Sequence, residues 1–175
     1  MIKCNLAVLL AERNIKISEL SKRTGISRTT LTALAQNQSK GIQFDTFDTL
    51  CNYLKVRPND LFIQESLEYD FEVLGIESNT DLNINDYLVT VSAEIQHNNH
   101  LIDITFPCSL SFWTEYEEVR TINIKPSYPG VVQNLLDSIP ITFKVSIEQE
   151  LLDAIKAFII VELNLDESIL EITIS

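Results

Sequence analysis

Near residue 66 the spacing of apolar side chains changes, and that change limits what the chain can fold into. Before it, apolar residues recur three and four apart, the period of an amphipathic helix. After it they alternate with polar residues, the period of a strand with one buried face. A single layer of one element type cannot satisfy both patterns. The expectation is α+β: an all-α domain over 1–65, then an acidic α+β domain with a mainly antiparallel sheet over 66–175.

The helical part is punctuated in order. Leu6, Leu9 and Leu10 mark a first helix. Ser18 is placed to cap a second, which carries Leu20 and stops at Gly25. Ser27 is placed to cap a third, with Leu31 and Leu34 on one face and Asn37 as a left-handed stop. Asp45 is the expected cap of a fourth, and Pro58 suits the first turn of a fifth. Hardly any strand signal lies before residue 66.

The second part offers "YDFEV", "LVTVSAEI", "LIDITF", "TINI", "ITFKV" and "LEITIS" as five or six strands, with "HNNH" as a hairpin turn. One strong helix is expected from a capping box at Ser146 and Gln149, carrying Leu151, Ile155 and Ile159. "GVVQNLLDSI" suggests a weaker one.

Charge divides the chain at the same place. Residues 1–65 hold nine Lys and Arg against six acids, a net +3. The remainder holds four bases against nineteen acids, a net −15. Opposite signs imply two different partners. No apolar run is long enough to span a bilayer, and no signal peptide is recognisable. Three scattered cysteines make neither a disulfide framework nor a zinc knuckle, so a cytoplasmic location is expected.

Two short helices joined by a Gly-containing turn form a helix-turn-helix. Gly25 can take the positive φ the turn needs, and Ile26 can plug the angle between the helices. The third helix then shows Ser27, Arg28, Thr29, Thr30, Thr32, Ala33 and Gln36 on its outer side. That surface is small, polar and basic, which suits a major groove about 12 Å wide. "SELSKRTGISRTTLTALAQNQ" followed by "GIQFDTFDTLCNYLKVRPNDLF" resembles the Cro/phage-repressor-like helix-turn-helix family, also called the XRE family. The resemblance covers about residues 2–64 and implies a five-helix, lambda-repressor-like DNA-binding domain.

It also implies roles. Arg28, Thr29, Thr32 and Ala33 fall where the family reads base edges, Arg28 being suited to guanine. Ser18, Asn37, Ser39, Lys40 and Gln43 fall where it holds phosphates, together with Ser27 and Thr30 at the head of the third helix. Lys16 and Lys22 are weaker phosphate candidates. The chain departs from the family at Ser21, whose hydroxyl needs a partner such as a carbonyl one turn back. It departs again at Arg57, where a Ser cap is usual.

Other chemistry has little support. His97 and His100 lack a third ligand, so they read as a turn and no metal is expected. Phe112, Trp113 and Tyr116 read as core or interface. Lys144 has no paired serine or cleavable linker for self-cleavage. No phosphate loop, cofactor motif or catalytic carboxylate pair is present, so no enzyme is expected. The sequence therefore predicts a sequence-specific transcriptional repressor that acts as a homodimer on double-stranded DNA. In the alternative, the acidic half of an antitoxin or phage-type inhibitor captures a toxin, antirepressor or other protein, and the helix-turn-helix regulates its own operon.

Overall fold

The structure is a computed structural model and describes residues 1–78, 86–115, 118–165 and 171–174. The chain divides into two compact units, Met1–Glu65 and Ser66–Ser175.

The first unit runs β1 (Ile2–Cys4), α1 (Leu6–Glu12), α2 (Ile17–Thr24), α3 (Arg28–Ala35), α4 (Phe44–Leu54), α5 (Pro58–Leu61) and β2 (Phe62–Gln64). Leu6, Leu20, Leu31, Leu50 and Leu61 are wholly buried at its centre. Each contributes about 1.5–3 kcal/mol by leaving water. The helical pattern had hidden two strands. β1 and β2 pair antiparallel, with Lys3 opposite Ile63. They join the two ends of the unit, a long-range pairing that no local period can announce.

Two expected caps also moved. The N-cap of α2 is Lys16, and Ser18 lies inside the helix. The N-cap of α4 is Gln43, and Asp45 lies in the first turn. Neither helix end has a side-chain cap bond. Packing of Leu20 and Leu50 into the core outweighs a cap bond of about 1 kcal/mol in setting those ends. At α5 the missing Ser is compensated from the other side: the Asp60 carboxylate accepts from the Arg57 N–H at 2.8 Å.

The second unit is a five-stranded sheet in the order β3-β4-β5-β6-β7. β3 (Leu67–Ser78), β4 (Asp86–His97), β5 (His100–Glu115) and β6 (Glu118–Pro126) form an antiparallel meander. "HNNH" is the tight turn between β4 and β5. Asn98 and Asn99 sit there at φ 49° and 65°, as a two-residue hairpin turn demands. The chain then forms α6 (Gly130–Ser138) and α7 (Ile141–Glu162), and returns as β7 (Glu171–Ile174) parallel to β6.

Helix α7 corrects the reading of "ITFKV" as a strand. These residues are its first turns, following Pro140. Phe143, Ile147, Leu151, Ile155 and Ile159 are spaced four apart and all fully buried. That stripe governs the segment, and the local alternation of Ile141, Phe143 and Val145 is incidental to it. The capping box dissolves as well. The Ser146 hydroxyl donates to the Thr142 carbonyl, and Gln149 donates to Asp153, both within the helix. Tyr116 and the acid-rich "NLDES" fall wholly or partly outside the described residues.

Candidate nucleic-acid interface

The angle between α2 and α3 is fixed by three local devices. Gly25 closes α2 at φ 75°, and its N–H donates to the Ser21 carbonyl. Ser21 then bonds forward. Its hydroxyl donates to the Ile26 carbonyl at 2.6 Å, tying α2 to the turn instead of to its own preceding turn. Thr24 donates to the Leu20 carbonyl at 2.7 Å and accepts from the Ile26 N–H at 3.3 Å. Ile26 packs against the core below.

Ser27 caps α3 as its position predicted, accepting from the Thr30 N–H at 3.1 Å. Its hydroxyl also lies 2.8 Å from that of Thr30. Leu31 and Leu34 anchor the inner side of the helix. Arg28, Thr29, Thr30 and Gln36 are exposed on the outer side, while Thr32 and Ala33 are half-buried. Among the described residues Arg28, Lys22 and Lys40 pair with no carboxylate, and the ion pair found is Arg13 with Glu12 at 3.4 Å. The outer side of α3 therefore carries cationic charge that the unit does not neutralise itself.

After α3 the chain turns at Asn37, φ 56°. This residue is more occupied than its sequence position suggested. Its Oδ1 accepts from the Cys4 N–H, and its Nδ2 donates to the Cys4 carbonyl at 3.2 Å. The amide copies a strand partner for β1, so the side chain serves the fold. Ser39 donates to the Gly41 carbonyl at 2.6 Å, stiffening the loop. Ser18, Lys40 and Gln43 are exposed. Phe44, next to Gln43, is 87 % exposed. Nothing in the sequence marks this exposure, because an apolar residue at a helix start ordinarily belongs to the core.

The thiols offer no nucleophile. Burial pushes the Cys4 thiol up, and burial with Asp48 and Asp60 nearby pushes Cys51 up. Burial pushes Cys108 up to about 12. Among the described residues no cluster of His, Cys, Asp or Glu could hold a metal ion.

Residues 5–65 match the Cro/C1-type HTH DNA-binding domain. The uncharacterized HTH-type transcriptional regulator YozG of Bacillus subtilis (strain 168) is 34 % identical over 64 residues. That alignment takes in 37 % of this chain and 76 % of YozG. The chain belongs to the Cro/C1-type helix-turn-helix family. A solved structure of a candidate DNA-binding protein from Bacteroides fragilis is also similar, at 26 % identity and a TM-score of 0.33, covering 35 % of this chain and 98 % of that one. The Cro/C1-type match lies within Met1–Glu65, the unit that holds α2, the Gly25 turn and α3. Among the described residues no helix is long and apolar enough to cross a membrane.

Proposed function

We propose that this Cro/C1-type regulator is a cytoplasmic, sequence-specific repressor without catalytic activity, acting as a homodimer that occupies its operator. The carrying observation is the outer side of α3: exposed, cationic and unpaired, on a helix held at a fixed angle. Arg28 pairs with guanine in the major groove, and Thr29 reads the neighbouring base. Thr32 and Ala33, half-buried one turn on, limit how closely the helix approaches. Lys40, Ser18 and Gln43 hold phosphates, whereas the Ser39 hydroxyl is already given to the Gly41 carbonyl. Ser27, Thr30 and Asn37 have committed side chains, and the N–H groups of Thr30 and Asn37 are taken as well, by the Ser27 hydroxyl and the Leu34 carbonyl, so these residues shape the surface more than they hold phosphate. Two copies place their α3 helices about 34 Å apart on one side of the duplex.

A second reading is favoured by one feature of the other unit. Asp70, Glu94 and Asp103 stand directly opposite one another on β3, β4 and β5. Like charges so placed destabilise a sheet. A repressor needs no such row, whereas an inhibitor that captures a basic protein does.

Operator selection from random duplexes with the full chain, followed by anisotropy titration, tests the first reading. A selected site that Arg28→Ala reads less strictly supports it. Failure to enrich any sequence overturns it.

A further inference from the structure

The sheet of the second unit has an unfinished edge. On β4 the inward residues Val91, Ala93 and Ile95 are wholly buried. Their partners on β3, Val73, Phe71 and Tyr69, are only half-buried. Helix α7 packs on the inner face along β3 without burying its side chains completely. Tyr69 is tied to α7, donating to Glu150 Oε1 at 2.9 Å. From that tie a groove of about 430 Å³ runs between β3 and the C-terminal half of α7. Phe71, Val73, Ala157, Phe158 and Val161 line it, together with Glu72 and Glu162. Val161 is 79 % exposed.

Among the described residues no strand pairs with the outer side of β3. Its backbone donors and acceptors there are open to another strand. The pairing of β3 with β4 is regular from Leu67 to Val73, and a bulge follows between Val73 and Gly75. The usable edge is therefore short and defined.

The two faces of that edge differ. Inward lies the groove, mostly apolar but with Glu162 in its lining. Outward stand Glu68, Asp70 and Glu72, all exposed. A strand added to this edge would point alternate side chains into the groove and the rest beside those acids. The geometry points to one occupant: an extended segment of a partner protein with alternating apolar and Lys or Arg residues, paired to β3 as an extra strand. A second copy of this chain fits poorly. Two β3 edges related by a two-fold would set Glu68, Asp70 and Glu72 against their own kind. This docking edge goes beyond the proposal of operator binding and does not rest on it.

The test uses the full chain and a fluorescent peptide of alternating Lys and Val, followed by anisotropy. Peptides of alternating Lys and Ser, and of Glu and Val, are the controls. The Lys-Val peptide is expected to saturate the chain and to bind at least about tenfold more tightly than either control. Ala157→Trp, an exposed position that fills the groove without emptying the core, weakens it about tenfold with unchanged circular dichroism. Glu68→Lys with Asp70→Lys and Glu72→Lys transfers the preference to the Glu-Val peptide. Equal affinity for Lys-Val and Lys-Ser would reduce the effect to bulk charge and overturn the inference. So would binding that Ala157→Trp leaves unaltered, or a wild-type dimer that Ala157→Trp dissociates in sedimentation. Operator binding plays no part in the assay, so either result leaves the reading of α3 standing.

Discussion

Asn37→Ala tests the structural role of one residue that the family resemblance places at the DNA backbone. Asn37 makes two hydrogen bonds to the backbone of Cys4, itself only 4 % exposed. Each such bond contributes about 1 kcal/mol net. Asn37 also holds φ 56°, a conformation Asn tolerates and Ala resists by roughly 1–2 kcal/mol. The change should thus cost about 3 kcal/mol in the first unit. Asn37→Gly loses the bonds but not the backbone freedom, and should cost about 2 kcal/mol. Amide hydrogen exchange in the full chain reads these values at Leu31 and Leu34 without requiring the two units to unfold together. A cost below about 1 kcal/mol for Asn37→Ala, or equal costs for the two variants, would refute the reasoning. Operator affinity measured well below the melting point should then change little, because the Asn37 side chain and its N–H are both engaged within the fold.

Other outcomes follow from the same contacts. Arg28→Ala should cost about 1–3 kcal/mol on the selected operator and relax one base position, and an equal loss on every sequence would show it holds only phosphate. Lys40→Ala should weaken all duplexes alike and flatten the salt slope by about one unit, which titration at several salt concentrations measures. Val145→Pro should cost about 3 kcal/mol or more by denaturant unfolding, since it breaks a helix in the first turns of α7; a strand at a sheet margin would tolerate it better. Cys108 gives a pH signature. The unfolded thiol loses its proton near 9.0, while the folded one holds it to about 12. The folded state thus binds more protons in that window, and stability falls as pH rises through it. Cys108→Ala should shallow that fall, as unfolding curves between those pH values would show.

What could be read from the sequence was local. The stop at Gly25, the cap at Ser27 and the left-handed turn at Asn37 depend on residues a few positions away, and each stands where its chemistry placed it. The "HNNH" turn is legible for the same reason. What could not be read joins distant residues. Cys4 finds Asn37 across the first unit, and β1 finds β2 from its far end. Neither partner carries a mark of the other. The start of α7 failed differently. Ile141 to Val145 fits two periods equally well, and only the longer run to Ile159 decides between them. At the candidate site, the residue types on α3 were readable, but not which side chains the fold had already engaged.

The β1–β2 pairing has one more consequence. Where Lys3 meets Ile63, the path into the reading unit lies beside the path out. A cassette with neighbouring entry and exit can be spliced into a surface loop of an unrelated protein without stretching either host or guest. It can equally be rejoined there and opened elsewhere, with α3 still held at the same pitch.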